Sequence, residues 1–170
     1  QSLRSAGKKA LMPFLCGGHP RPGTLPDLID ACVQGGARIL EIGIPFSDPI
    51  ADGPVIAAAM HDALKNGATP ASIFEEIARY RAGPDVRDAI AREMLGGGTR
   101  DSVALIAMVS VSIVTRAGGP RGFTLAAKRA GFDGLIVPDV PLEESGELRS
   151  AASDAGLTLS LLISPTTSAK

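Results

Sequence analysis

Three times along the chain a helix-like stretch gives way to a glycine, then a short apolar run, then a proline. Gly35-Gly36-Ala37, Ala130-Gly131-Phe132 and Ala155-Gly156-Leu157 precede the runs, and Pro45, Pro138 and Pro165 follow them. Glycine at the first junction takes the left-handed conformation that ends a helix. Proline at the second lacks the N–H that a central strand needs, so it stops the ladder. Strands are expected at Ala10–Cys16, Ile39–Ile44, Val103–Val109, Gly134–Val137 and Thr158–Ile163. These runs are mostly continuous and not alternating, the pattern of a parallel sheet covered on both faces. Helical patterns separate them at Leu25–Gln34, Val55–Asn66, Pro70–Arg81, Asp85–Leu95, Phe123–Ala130 and Glu143–Ala155. Thr69 before Pro70 supplies a capping hydroxyl and a first-turn proline. The class is therefore α/β with right-handed crossovers.

Two architectures share this pattern. One is a (β/α) barrel with its site past the C-terminal ends of the strands; the other is a doubly wound open sheet, and periodicity does not separate them. A complete eight-unit barrel takes about 250 residues. With 170 residues and about five β-α units, the chain is expected to be the front part of one barrel domain, its C-terminal strands missing.

Bulk composition removes whole classes of function. Net charge is −1, with no basic footprint for nucleic acid and no polybasic patch for a membrane surface. No apolar run approaches the length of a membrane span. The two cysteines, Cys16 and Cys32, make no disulfide framework, so a reducing cytoplasm is expected.

The chemistry concentrates in Leu40–Pro54. Ile39, Leu40, Ile42 and Ile44 surround one carboxylate, Glu41, and the run breaks into a loop carrying Asp48 and Asp52. Burying an unpaired carboxylate is costly, so it normally finds a partner or shifts its pKa. Glu41 and Asp52 are thus a candidate acid/base pair. The plain alternative gives Glu41 a structural ion pair and Asp52 a turn before Gly53. Asp48, in Ser47-Asp48-Pro49, reads as a loop or interface residue. Asp139, just past the fourth run, either lines the site or caps the helix starting near Pro141.

Other motifs carry less. Cys16 and His19 have only a two-ligand spacing, so no metal is expected. Cys16 reads as a small buried residue, His19 as part of a turn and His61 as a surface residue. Gly96-Gly97-Gly98 lacks the Lys-Ser/Thr of a phosphate loop and reads as a connector.

Glu41-Ile42-Gly43-Ile44-Pro45-Phe46-Ser47-Asp48-Pro49, followed by Ala51-Asp52-Gly53-Pro54, closely resembles the tryptophan synthase alpha chain family. Leu11–Phe14, Gly18–Pro20, Met108–Ser110, Ala130–Glu144 and Leu161–Thr166 extend the resemblance along nearly the whole chain. Residues 84–102 fall outside it and read as an insertion before the third strand. The resemblance implies a TIM barrel and a lyase that splits indole-3-glycerol phosphate into indole and glyceraldehyde 3-phosphate, in tryptophan biosynthesis. It implies Glu41 as general acid/base and Asp52 as acceptor of the indole N–H. Phe14, Ile56, Ile136 and Ile163 would form apolar walls, with Asp139 beside the substrate. The stretch from Pro45 to Asp52, including Asp48, would meet a beta chain in an alpha2-beta2 complex. No cofactor is expected in this chain; PLP belongs to the beta partner.

The chain departs from the family at two places. His19 stands where an aspartate is usual, and Ser110-Val111-Ser112 occupies the stretch where many members carry a tyrosine. The missing strands belong to the region that holds the substrate phosphate in such barrels. The rival expectation is a non-catalytic alpha-like module that docks on a beta-like partner. A third is a barrel enzyme acting on a sugar phosphate, disfavoured because no lysine stands at a strand end.

Overall fold

The computed structural model describes residues 5, 7, 9–49, 52–83, 103–163, 165 and 167. The helical pattern at Asp85–Leu95, the glycine connector and the insertion at 84–102 lie outside the described residues.

The strands are β1 (Phe14–Cys16), β2 (Ile39–Gly43), β3 (Ala104–Met108), β4 (Gly134–Val137) and β5 (Thr158–Leu161). Between them lie helices α1 (Leu25–Gln34), α2 (Pro54–Lys65), α3 (Pro70–Ala82), α4 (Val111–Arg116), α5 (Gly119–Ala130) and α6 (Gly146–Asp154). All pairings are parallel, and the spatial order is β1-β2-β3-β4-β5. That order decides between the two architectures. A doubly wound sheet reverses its strand order at a switch point. Here each strand pairs with the next, and right-handed crossovers then carry every helix to the same face. This is barrel topology.

Burial along the strands shows the same sidedness. Leu40, Ile42, Leu105, Ala107, Leu135 and Val137 are fully buried and join one core with Ile29, Ile73, Ile77, Phe123 and Leu148 of the helices. Their neighbours Ile39, Glu41, Ala104, Ile106 and Ile136 are only half-buried. Among the described residues the sheet is covered fully on one face and partly on the other. Register aligns Phe14, Glu41, Ile106, Gly134 and Thr158 in one row across the half-covered face.

Helix ends follow the sequence signals. Gly36, Gly131 and Gly156 adopt φ of 94°, 100° and 67°. After each, an N–H reaches back to a carbonyl five residues earlier: Ala37 to Cys32, Phe132 to Ala127, Leu157 to Ala152, at 2.8–3.1 Å. These bonds satisfy the helix's last carbonyls and turn the chain straight into a strand. Thr69 Oγ1 accepts from the Ser72 N–H at 3.1 Å, and Ser72 Oγ accepts from the Thr69 N–H at 3.0 Å, a reciprocal cap for α3. Phe123 and Phe132 meet Phe74 in tilted pairs with centroids 5.4 Å apart, joining α3 to α5 and the turn into β4.

Arg81 fastens the opposite end of the sheet from Pro45 and Pro138. Its Nε donates to the Gly131 carbonyl at 3.0 Å and its terminal nitrogens to the Val103 carbonyl at 3.2 Å. Nη2 also pairs with Asp133 Oδ2 at 2.8 Å, which accepts the Leu105 N–H at 2.9 Å. Asp133 is 49% exposed, so the ion pair itself adds little. The charge-assisted bonds to carbonyls matter more, because they join the end of α3 to the starts of β3 and β4. Arg81→Met is predicted to cost about 2 kcal/mol. The check is a urea titration: a lowered midpoint with an unchanged slope is expected. An unchanged midpoint would remove Arg81 from the account of stability.

Candidate functional site

The strands' C-terminal ends and the loops beyond them enclose a cavity of about 290 Å³. Ile44, Phe46, Met60, Met108, Val109 and Pro138 give it an apolar wall, into which Asp48, Asp52, Ser110, Ser112 and Asp139 project. The β2 loop reaches this wall by a turn in which the Asp52 N–H donates to the Pro49 carbonyl at 3.1 Å. Pro54 then opens α2. No side chain caps that helix, so the Asp52 carboxylate is not consumed as its cap.

Glu41 lies in the middle of β2, flanked by Phe14 of β1 and Ile106 of β3. It is one rung below Gly43, Met108 and Ile136, on the same half-covered face of the sheet. Among the described residues no cation or hydrogen-bond donor holds its carboxylate, which leaves the structural ion-pair reading without a partner. Its pKa rises above the ordinary 4.5, first because burial penalises the charged form and second because the Asp52 carboxylate is close. Asp52 acts on Cys16 in the same way. Burial, then Asp52, push that thiol up to about 11. Cys16 is a protonated, buried group at neutral pH, not a nucleophile.

The other candidates divide by position. Asp48 and Asp139 stand on the cavity wall. Phe14 shares the face and the row of Glu41, and its ring occupies the space that a Cβ on Gly43 would need. Ile136 lies on the same face in the next row. Ile56 is half-buried on α2, whereas Met60, one helical turn further on, reaches the cavity wall. Ile163 is 78% exposed and borders a separate hollow shared with Pro138 and Asp139. Pro45 is buried at the start of the β2 loop, next to an apolar groove it shares with Phe46, Ile113 and Leu64. The structure thus places Glu41, Phe14 and Ile136 on one face of the sheet, brings the Asp52 carboxylate close to Glu41, and leaves Ile163 apart.

Asp139 corrects one expectation. It does not cap the turn that follows it, Leu142–Glu144, whose N-terminus has no side-chain cap. It crosses to the preceding unit and accepts from Ser110 Oγ at 2.6 Å and from the Val111 N–H at 2.8 Å. The β3 and β4 loops are thereby fastened together. His19 forms a turn as expected, its N–H donating to the Cys16 carbonyl at 3.2 Å. Its Nδ1 is buried with no hydrogen-bond partner among the described residues. Sequence reasoning missed Met60, Met108 and Phe46 as wall residues. For Met60 the signal was present, since it sits four residues after Ile56 on one face of α2.

The chain is similar to known proteins along its whole length. The family profile described as tryptophan synthase alpha chain matches residues 1–170. A tryptophan synthase alpha chain of Halorhodospira halophila is 40% identical over all 170 residues, which span 56% of that relative. The crystal structure of tryptophan synthase subunit alpha from Legionella pneumophila superposes with a TM-score of 0.83 at 32% identity, covering 99% of this chain and 58% of that one. A tryptophan synthase complex from Pyrococcus furiosus gives 0.75 at 31% identity, over 94% and 58%. The chain spans little more than half the length of these relatives. A parallel sheet in barrel order, with a carboxylate inside its second strand and the full loop motif after it, places this chain in the tryptophan synthase alpha chain family.

Proposed function

We propose that this chain carries the acid/base half of an indole-3-glycerol phosphate lyase. The observation that supports it most is Glu41: a half-buried carboxylate with a raised pKa, no structural partner among the described residues, and a second carboxylate nearby. A carboxyl pushed toward neutrality by burial gives and takes protons near the working pH.

In the reaction, Glu41 protonates the indole ring carbon that bears the glycerol chain. The ring nitrogen becomes cationic, and Asp52, accepting its N–H, stabilises that charge in an apolar surround. The hydroxyl on the neighbouring chain carbon then loses its proton to Glu41. Its electron pair forms the aldehyde, the carbon–carbon bond breaks, and the bond's electrons return to the ring. Indole leaves with the proton Glu41 donated, glyceraldehyde 3-phosphate leaves beside it, and Glu41 ends protonated again by the chain hydroxyl. Proton transfers between carboxyl groups and substrate balance every step. Phe14, Ile56 and Ile136 supply apolar contact for the indole, and Asp139 holds the β3 and β4 loops around it. Released indole would pass to a PLP-dependent beta chain meeting Pro45, Asp48 and the rest of the β2 loop in an alpha2-beta2 assembly. Among the described residues no helix is long and apolar enough to cross a membrane, and the cytoplasm is the proposed setting. Docking alone would not require a carboxylate inside β2 that has no partner among the described residues and a second carboxylate close to it, and this disfavours a purely interacting module.

Glu41→Gln keeps the shape and removes the titrating group. Indole release is expected to fall about 10²–10⁴-fold. Full activity in this variant would end the assignment. The same variant has a predicted signature in stability. Between pH 4.5 and its raised folded value, folded Glu41 binds more proton than unfolded Glu41. Stability of the wild type therefore falls as pH rises through that window. Glu41→Gln escapes the loss, so it should be the more stable protein at neutral pH and show no advantage below pH 4.5. Thermal melts across the range would read this, and equal pH dependence in both proteins would contradict it.

Asp52→Asn keeps the turn and removes the charge facing the ring. Turnover is expected to drop roughly 10²-fold, with stability little changed. Steady-state indole release beside a urea titration separates the two effects. Unchanged turnover would take Asp52 out of the mechanism.

A further inference from the structure

The hydrogen bonds at the β3 end of the cavity run in one direction. A carboxylate only accepts, so the Ser110 hydroxyl donates its hydrogen bond to Asp139 at 2.6 Å. With its single proton committed, Ser110 Oγ receives from the Ser112 hydroxyl at 2.8 Å and from the Ser112 N–H at 3.2 Å. Ser112 thus spends its own proton away from the cavity, and its oxygen keeps lone pairs free to accept. A chain of hydrogen bonds ending on a charge polarises each member, which strengthens that acceptor. Both serines wall the cavity; Ser110 is buried and Ser112 half-buried.

The remaining side chains of the wall have the same polarity. Asp48, Asp52 and Asp139 accept, the others are apolar, and no Lys, Arg or His is among them. Such a wall selects an apolar body carrying several hydrogen-bond donors and rejects acceptors, which would be buried unpaired. We propose that Ser112 is a specificity-determining residue that accepts a hydrogen bond from the chain hydroxyl that does not react, while Asp52 accepts from the ring N–H. This rests on the lyase reading above, whose substrate offers one ring donor and further hydroxyl donors on its chain.

The test uses the protein as the cell makes it, in three forms: wild type, Ser112→Ala and Ser112→Thr. Loss of one neutral hydrogen bond should raise KM for indole-3-glycerol phosphate about three- to tenfold in Ser112→Ala. The contact is uniform through the reaction, so kcat should be unchanged. Ser112→Thr, which keeps the hydroxyl, should restore KM. Inhibition by 3-(indol-3-yl)propyl phosphate, which has the ring donor but no chain hydroxyl, should be equal in all three. An unchanged KM in Ser112→Ala, an equal loss for the inhibitor, or a loss shared by Ser112→Thr would overturn the role of Ser112 and leave the lyase reading standing. A wild type that does not cleave the substrate would overturn both.

Discussion

Sequential parallel pairing is the constraint from which the rest of the structure follows. Because β1 to β5 pair in chain order, right-handed crossovers leave the helices no choice of face. One side of the sheet becomes a helix-covered core, holding Leu40, Ile42, Leu105 and Leu135 out of water entirely. The other side carries the alternate residues, and Glu41 is among them. A one-residue slip of β2 would send Glu41 into the helical core and Leu40 and Ile42 to the half-covered face. Register and the position of the candidate acid/base are thus the same fact.

The site is built on an electrostatic conflict the fold sustains. Burial and the Asp52 carboxylate both oppose the charge on Glu41, and no cation among the described residues relieves it. A structural ion pair would have made the protein more stable and the carboxyl less useful. A well-satisfied charge lies at the other end of the strands, where the Arg81 guanidinium donates to the Gly131 and Val103 carbonyls and pairs with Asp133. Stability is gathered at one end of the sheet and reactivity at the other, as the barrel architecture favours.

Much of this was legible in the sequence. Glycine and proline marked both ends of β2, β4 and β5, since each imposes a local backbone rule that tertiary contacts do not override. Residues Leu25–Gln34 and Gly134–Val137 form their elements with the bounds expected. What sequence reading missed depends on pairs distant along the chain. Helix α4 was hidden in an apolar stretch whose periodicity suits strand and helix alike; its start is fixed by Ser110 and by Asp139, almost thirty residues on. Likewise Asp139 sits before a turn it has no part in capping, and only the adjacency of β3 and β4 reveals its partner. Met60 and Met108 became wall residues through packing, and Ile163, past the end of β5, is exposed. The long motif around Glu41 was readable because its chemistry is local: an acid among β-branched residues, then a loop with a second acid.

The central claim is that Glu41 is a carboxyl with no partner among the described residues, its charge opposed by burial and by Asp52. A carbon-13 NMR titration of the Glu41 side-chain carboxyl, in wild type and in Asp52→Asn, tests it directly. A midpoint above 4.5 in the wild type that falls, but stays raised, when the Asp52 charge is removed is the predicted result, because burial is the larger cause. A midpoint at or below 4.5 in both proteins would contradict the account, for it would mean a cation or donor already holds the carboxylate.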